Sequence, residues 1–450
     1  MERKENKMGV MPVKKLIITM SLPMMVSMLV QALYNVVDSI FVAQLSENAL
    51  TAVTLAFPMQ NLMIAVSGGT GVGINALLSQ SLGRKKYDEA NNAANNGLFL
   101  AFASCIAFML LGIFATNAFI SSQTTDPEII SMGDTYLGIV CTLSIGLFMQ
   151  ITLERLLQST GQTIFSMASQ LTGAIFNIIF DPLLIFGIGI FPKMGVAGAA
   201  YATVLGQMVA AVIGLILNIR KNPEITLSLK SFFHPKAATV KTIYAVGIPS
   251  ILMMSIGSLM TYLMNLILIG FSATATAVFG VYFKLQSFFF MPIFGLNNGL
   301  IPVLAYNYGA AKPKRIHEAL RFAMTLAVSI MVVGTICFEL FPGLLLDMFA
   351  ASDEMKAIGI PALRIIAIHF PIAGFCIAMG STFQAFSKSM YSLVVSIMRQ
   401  LVVLIPAAWL LSLTGVVTNV WWCFPIAEVM SLIISFIFFK RVKKTVLDKL

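Results

Sequence analysis

Charged residues are scarce in this chain, and their scarcity decides its class. Only 11% of the 450 residues are Asp, Glu, Lys or Arg, whereas a soluble domain carries about a quarter. Mean hydropathy is +0.89, so the chain has too few polar side chains to cover a water-facing surface. Apolar runs of about twenty residues or more recur along its whole length, as in helices that cross a bilayer. Segments of about ten residues with alternating polarity, which are typical of membrane barrels, are absent.

The five cysteines and three histidines are too few and too scattered for a disulfide framework or a zinc site. Each cysteine lies inside an apolar run and has no paired spacing, and the isolated histidines offer no ligand set. The sequence has no nucleophile–base spacing and no Gly-Lys-Ser/Thr loop. The glycine-rich segment Gly69-Thr-Gly-Val-Gly73 lies within an apolar run rather than after a strand. We therefore expect neither an enzyme nor an ATP-driven pump, and no cofactor.

Twelve apolar spans are expected, which makes the chain an all-α polytopic membrane protein. The first fifteen residues are too polar for a signal peptide, and no small-residue cleavage site follows them, so the first span should be retained. The expected spans are 14–42, 50–79, 92–121, 127–155, 162–188, 195–219, 243–270, 275–304, 316–346, 356–385, 390–412 and 417–439.

The net charge of +10 follows the loops rather than a single surface patch. With the N-terminus placed in the cytoplasm, the segments on that side hold 23 Lys and Arg, whereas the outer loops hold 2, Lys193 and Lys356. This asymmetry is the positive-inside bias. It predicts a multi-pass protein of the cell membrane (inner or plasma) with both termini in the cytoplasm. Because the basic charge is a topology signal, the expected surroundings are the lipid bilayer, with no nucleic-acid partner.

An internal repeat divides the chain into two homologous six-helix lobes. One constant shift along the chain, here named the repeat offset, aligns Pro23 with Pro249, Phe57 with Phe283, Gln60 with Gln286, Gly69 with Gly295, Gly73 with Gly299 and Gly83 with Gly309. Both halves start on the same side, which is the parallel-repeat arrangement typical of alternating-access transporters. We expect a first lobe at 1–222, a cytoplasmic linker at 223–242 and a second lobe at 243–450. Duplication without transport is the alternative.

Ionisable side chains inside the first-half spans are the candidate functional residues, since charge in a bilayer is costly. Asp38 lies late in the first span, and Asp181 lies deep in the fifth. Asn177 shares a helix face with Asp181, and Pro182 leaves the carbonyl of Ile178 without its helical hydrogen bond. Such an oxygen-rich face suits a proton or a small hard cation. The alternative is that each acid is a structural group hydrogen-bonded across helices.

Other charged residues in the spans admit more than one interpretation. Glu154 adjoins Arg155 near the cytoplasmic end of the fourth span, where it either lines a cavity or lies at the water interface. In the second half, Lys284, Arg399 and Glu428 are expected to form one charge network facing the lobe interior, because unpaired charge in lipid is unfavourable.

Several segments carry a family resemblance that extends over essentially the whole chain. They are Leu29-Val-Gln-Ala-Leu-Tyr-Asn-Val-Val-Asp38, Glu154-Arg-Leu-Leu-Gln-Ser-Thr-Gly161, Phe180-Asp-Pro-Leu-Leu-Ile-Phe-Gly187, Lys284-Leu-Gln-Ser-Phe288, Gly295-Leu-Asn-Asn-Gly299 and Tyr306-Asn-Tyr-Gly309. The sequence resembles the MATE family (multidrug and toxic compound extrusion), most closely its MepA-like bacterial branch. The resemblance implies two lobes in a V around a central cavity, and export of small-molecule drugs by antiport with protons, sodium or both.

The resemblance also implies roles for particular residues. It places the coupling cation at Asp38, Asn177, Asp181 and Thr203, with sodium at the first three as the only metal expected, and it places Tyr34 beside the substrate cavity. Glu154 is the second cavity residue expected. Another branch carries acids in the seventh and tenth spans, which this chain lacks, so no second-lobe sodium site is expected.

The substrate class is predicted more coarsely. The 28 Met and 34 Phe are side chains that repack around differently shaped apolar guests, and aromatic faces with carboxylates suit organic cations. We expect amphipathic, often cationic drugs and a monomeric transporter. The alternative is a lipid-linked-precursor flippase of the same superfamily. That function needs an Arg- or Lys-rich cavity, and only Lys284 and Arg399 lie deep enough.

Overall fold

The computed structural model describes residues 5–449, and they form a bundle of membrane-length helices. Ten single helices are long and apolar enough to span a bilayer, and two further spans are helix pairs bent by 46°. No β-strand occurs in residues 5–449. The all-α class and the twelve spans predicted from the apolar runs are therefore confirmed.

The twelve segments fall into two sets of six. The first set is α1 Val13–Ala43, α2 Glu47–Gly83, α3 Tyr87–Phe114, α4 Pro127–Thr142 with Ile145–Ser159, α5 Thr163–Phe186 and α6 Val196–Lys221. The second set is α7 Ala237–Ile269, α8 Ala273–Gly309, α9 Pro313–Leu340, α10 Asp353–Ala367 with Phe370–Ala385, α11 Ser389–Ser412 and α12 Cys423–Thr445. Because the number of spans is even, both chain ends lie on one side of the bundle, here named the terminal side; the other is the distal side.

Several helices extend further than the apolar runs predicted, whereas α3 and α9 end at Phe114 and Leu340, before the expected 121 and 346. α7 begins at Ala237, six residues earlier than expected and inside the segment assigned to the linker. Hydropathy marks only the bilayer core, whereas a helix continues into water wherever its residues favour it. α2 shows the same effect, since its 37 residues, at about 1.5 Å each, exceed the roughly 30 Å of a bilayer core. The loop before α7 contains one short helix, Leu229–Phe233.

The bends in α4 and α10 occur at equivalent places in the two halves. α4 breaks between Thr142 and Ile145, and α10 breaks between Ala367 and Phe370. The repeat offset superimposes the two breaks to within one residue. The break is therefore part of the repeat itself. In α10 it places His369 immediately before Phe370–Ala385, the second helix of the bent pair.

The two lobes meet through α2 packed on α7 and α8 packed on α1. A Cβ on Gly69 would lie 2.6 Å from the backbone nitrogen of Ile251, and a Cβ on Gly295 would lie 2.6 Å from that of Met25. Met25 and Ile251 are themselves aligned by the repeat offset. The lobes thus touch backbone to backbone through glycines, and each contact has its counterpart across a pseudo-two-fold axis.

A second glycine pair repeats this contact at the ends of α2 and α8. A Cβ on Gly83 would overlap the carbonyl oxygen of Tyr306, and a Cβ on Gly309 would overlap that of Gln80. Gln80 and Tyr306 are also aligned by the repeat offset. No side chain can fit at either position while the lobes stay this close, so both glycines are required for the contact.

Polar contacts between the lobes concentrate on the terminal side. Lys312 Nζ donates a hydrogen bond to Glu5 Oε1 at 2.5 Å, which lowers the pKa of the Glu5 carboxyl. Arg315 donates to the carbonyls of Met8 at 3.1 Å and Met11 at 2.7 Å. Further side-chain hydrogen bonds between the lobes join Ser21 to Leu296, Gln80 to Ala385 and Ser387, Arg155 to Asn298, Asn307 to Met8 and Lys312 to Gly9. All of them involve the terminal halves of the segments, so these hydrogen bonds hold the two lobes together on the terminal side.

Candidate functional site

Two glycines let α5 and α6 pack closely in the first lobe. A Cβ on Gly173 would lie 2.7 Å from the carbonyl oxygen of Gly206, and a Cβ on Gly206 would lie 2.8 Å from that of Gly173. Backbone contact of this kind brings the side chains on the facing helix surfaces together. One turn toward the distal side, Asn177 Nδ2 donates a long hydrogen bond of 3.4 Å to Thr203 Oγ1, and both residues are buried.

Asp38 of α1 meets Asp181 of α5 beside this contact. The two carboxyl groups lie within hydrogen-bonding reach of each other, and Asp181 is fully buried. When both carboxyl groups are ionised, they have no hydrogen to share, and Asp38 Oδ1 and both carboxylate oxygens of Asp181 then lack a donor within residues 5–449. Asn177 Oδ1 is a fourth buried oxygen without one.

Four clustered oxygen acceptors without donors are energetically unfavourable, because each buried polar group normally has a partner. Two carboxylates this close in low-dielectric surroundings also repel each other when both are ionised. A proton shared between the carboxylates would remove both penalties. A small hard cation would do the same, since carboxylate, amide and hydroxyl oxygens are its preferred ligands.

The structure therefore brings together the residues expected to hold the coupling cation. Asp38, Asn177, Asp181 and Thr203 come from three helices and form one cluster in the distal half of the first lobe. Tyr34 lies one turn before Asp38 and within electrostatic reach of both carboxylates. Its expected place beside the substrate cavity stays a prediction.

Sequence reasoning missed two uncharged members of this neighbourhood. Tyr136 of α4 is buried and lies within electrostatic reach of Asp38 and Asp181. Its hydroxyl accepts a hydrogen bond of 3.2 Å from Gln60 Nε2 of α2. Both are polar groups inside otherwise apolar spans, a weaker signal than charge but the one that could have found them.

Glu154 lies apart from the carboxylate pair, near the terminal side of α4. It is only 6% exposed and accepts a hydrogen bond of 3.0 Å from Gln150 Nε2. The interpretation of Glu154 as an interfacial residue is therefore wrong. The neighbouring Arg155 donates to Asn298 of the second lobe at 3.0 Å, because the lobes close over this end of α4. The role of Glu154 in the substrate cavity stays a prediction.

The second-lobe charge network is smaller than expected. Arg399 Nη1 lies 3.4 Å from Glu428 Oε2, and Glu428 is buried. Lys284 is not part of this pair, since it is exposed and its Nζ lies 6.0 Å from the centre of the Phe349 ring. Its long side chain reaches toward the distal surface, where water is near. His369, which was not among the predicted members, is buried within electrostatic reach of both charges.

Removing one charge of this pair should destabilise the protein. Glu428→Gln leaves the Arg399 guanidinium without its carboxylate, at a cost of about 3 kcal/mol or less, because Arg399 is partly exposed. We expect a lower Tm in detergent solution. Arg399→Gln in the same chain should recover part of the loss, whereas Lys284→Gln should have little effect. An unchanged Tm in Glu428→Gln would show that the pair contributes no stability.

Comparison with known proteins finds the same two halves of the chain. The MatE family profile matches residues 23–183 and again residues 249–410. The chain belongs to the MatE family. The two matches begin at Pro23 and Pro249, which the repeat offset aligns, and the resemblance predicted from the motifs is confirmed. The family assignment makes the chain a multi-pass membrane transporter of small molecules rather than an enzyme.

Similar proteins cover nearly the whole chain. Multidrug export protein MepA of Staphylococcus saprophyticus is 26% identical over 409 residues, 91% of this chain and 89% of the relative. A protein named FAD transporter, from Shewanella oneidensis, is 26% identical over 451 residues, 98% of each chain. A solved multidrug resistance MATE family transporter of the MOP superfamily, in its outward-facing conformation, is 26% identical and matches 99% of each chain with a TM-score of 0.92.

Proposed function

We propose that this MatE-family protein is a secondary active exporter of amphipathic, often cationic organic compounds, driven by antiport with protons, sodium ions or both. The observation that carries the proposal is the cluster of donor-less oxygens on Asp38, Asn177 and Asp181. A structural role would have supplied those oxygens with permanent donors, whereas a coupling site must be left for an ion. The name of the MepA relatives supports drugs as the substrate class.

The proposed coupling is competition between cation and drug for one lobe. A cation entering from the distal side neutralises the carboxylates, α1 rearranges around Pro23, and the affinity for drug falls. The drug leaves toward the distal side, and the transporter returns to collect another. The membrane potential contributes about 2.3 kcal/mol per charge for each 100 mV, in addition to the ion concentration gradient.

The relative named FAD transporter invites a comparison of charge. A substrate with phosphate groups needs cationic side chains, and so does a lipid-linked precursor. Of the deep cations in this chain, Lys284 reaches toward Phe349 and Arg399 is paired with Glu428. The first-lobe cluster is acidic. These positions favour cationic or neutral drugs over a substrate that carries phosphate groups.

A test of the function separates the energy sources. Everted membrane vesicles carrying the protein should accumulate a fluorescent cationic dye when ΔpH or a sodium gradient is imposed, and the gradient should be dissipated in return. ATP without a gradient should have no effect. Accumulation that depends on ATP alone, or that persists after both gradients are collapsed, would contradict antiport.

The orientation in the membrane is a further part of the proposal. We place the terminal side, with both chain ends, in the cytoplasm of a cell-membrane monomer that has no nucleic-acid partner, because the Lys and Arg residues lie overwhelmingly on that side. The first lobe is 1–222 and the second lobe 243–450. The segment 223–242 joins them, although its last residues belong to α7.

Single-cysteine labelling tests this orientation. In a cysteine-free background, cysteines at Ser46, Thr124 and Ser272 should react with a membrane-impermeant maleimide added to intact cells. Cysteines at Pro223, which is exposed, and at Lys312 should react only after the cells are permeabilised. Labelling of the second group from outside would reverse the topology.

A further inference from the structure

A groove on the second lobe takes no part in the proposed antiport. It has a volume of about 540 Å³ and runs between α9, α10 and α12 in the terminal half of the lobe. This volume lies in the range of about 300–1,000 Å³ typical of small-molecule sites. Its wall is mainly apolar, from Met324, Val328, Phe375, Met379 and Phe436, and its polar end holds Arg321.

Arg321 is an unneutralised cation in a membrane helix. It follows the start of α9 at Pro313 by eight residues, or about 12 Å of helix. Its side chain is exposed, and within residues 5–449 its guanidinium has neither a carboxylate nor a hydrogen-bond partner; only its carbonyl is engaged, by Thr325 Oγ1. A cation at this depth requires a counter-ion or water. A phosphate group matches the guanidinium in charge and geometry.

The first lobe shows what covers the equivalent groove. The repeat offset aligns α3 with α9 from end to end and maps Arg321 onto Asn95. Asn95 Oδ1 accepts a hydrogen bond of 2.8 Å from the backbone nitrogen of Ser228 in the loop before α7. The Phe232 ring, in the short helix of the same loop, packs edge-on against Phe99 with ring centres 6.1 Å apart. A polar contact and an aromatic ring from the chain itself thus lie over this surface of the first lobe, where a smaller, polar cavity of about 350 Å³ remains beside Asn95.

In the second lobe the equivalent surface is open and chemically different. Thr325 stands where the first lobe has Phe99, and Arg321 replaces an amide with a cation. The corresponding space is the open groove. Its ligand must therefore come from outside the described chain, and it must combine a long apolar part with a negative charge at the terminal side.

We propose that an anionic glycerophospholipid occupies this groove, with one acyl chain against the apolar wall and its phosphate on Arg321. The lipid comes from the leaflet on the terminal side. Basic residues that follow the groove-lining end of α12, Lys440 and Lys443 among them, add attraction for an anionic headgroup. The bound lipid seals the second lobe as the loop before α7 seals the first, and this assignment does not depend on antiport.

Lipid binding to the purified full-length protein tests the proposal. In native mass spectrometry, titration with palmitoyl-oleoyl-phosphatidylglycerol should reveal one site that palmitoyl-oleoyl-phosphatidylcholine fills more weakly. Arg321→Gln should lower the affinity for phosphatidylglycerol about fivefold, the effect of one cation near a membrane surface. Lys314→Gln is the matched control, because Lys314 is an exposed cation on the same helix that does not line the groove. It should leave the affinity unchanged.

A second variant tests the apolar part of the groove. Thr325→Phe restores the aromatic ring that the first lobe has at Phe99 and should displace the lipid from this one site. The proposal is wrong if Arg321→Gln and Lys314→Gln behave alike, or if the two lipids bind equally well. It is equally wrong if Thr325→Phe abolishes binding of the transported dye while lipid binding is retained, since the groove would then belong to the substrate.

Discussion

Asp38→Asn and Asp181→Asn are each expected to reduce gradient-driven efflux to background while the protein still folds and inserts. An amide keeps the size of the carboxyl group but cannot take up a proton or neutralise a sodium ion. Because the two carboxylates meet within hydrogen-bonding reach, they should titrate as a unit, so that loss of either one disables the site. Efflux of a fluorescent cation from cells, normalised to protein in the membrane, measures the effect.

Controls separate coupling from folding. Asn177→Ala and Thr203→Ala remove neutral ligands and should weaken the dependence on the ion more than they lower expression. Asp88→Asn removes an exposed acid from α3 and should leave efflux unchanged. Near-normal efflux by the Asp38→Asn, Asp181→Asn double variant at equal abundance would place the coupling site elsewhere. The buried Glu154 would then be the next residue to test.

Gly83→Ala should prevent closure of the terminal side. The new Cβ would overlap the carbonyl oxygen of Tyr306, so the lobes must separate. Overpacking of this kind costs about 1–3 kcal/mol, which shifts a two-state equilibrium roughly 5- to 150-fold. We expect the distal-open state to be depopulated and efflux to fall. The distance between spin labels at Lys14 and Lys314, one on each lobe, should lengthen.

Substitutions at two other glycines provide the comparisons for Gly83→Ala. Gly309→Ala makes the equivalent clash with Gln80 and should reproduce the result. Gly280→Ala is the control, since a Cβ on Gly280 meets nothing within 4 Å. Like Gly83→Ala, it gains the higher helix propensity of Ala over Gly, about 1 kcal/mol. The difference in transport between the two variants therefore measures the effect of the clash. If Gly83→Ala transports as well as Gly280→Ala, the glycine contact does not control closure.

Much of the fold could be predicted because the bilayer imposes it. Burial of the backbone in lipid requires helices of a minimum length, and gene duplication leaves one constant offset between equivalent positions such as Pro23 and Pro249. The carboxylate pair could be predicted for a related reason, since charge in a bilayer is costly enough to mark function. The close packing of α5 and α6 was harder to predict, because Gly173 and Gly206 have no side chains that would indicate a contact.

The predictions from sequence were wrong where the pattern does not show in which direction a side chain extends or what covers it. Lys284 and Arg399 both lie deep in apolar runs, yet the long side chain of Lys284 extends toward Phe349 on the distal side and not toward Glu428. Glu154 is close to a span end in sequence, and it is buried because the second lobe closes over it. Tyr136 carries no charge, so the sequence alone does not distinguish it from an ordinary packing residue; its position near Asp38 and Asp181 does.

Cation release on substrate binding tests the central claim most directly. Purified protein in weakly buffered detergent solution is mixed with a cationic dye, and proton release and sodium release are recorded while dye binding is followed by fluorescence. The account predicts that wild-type protein releases cation when the dye binds, and that the Asp38→Asn, Asp181→Asn double variant binds dye and releases none. Equal release by both proteins, or dye binding that leaves the cation in place in the wild type, would contradict a shared first-lobe coupling site.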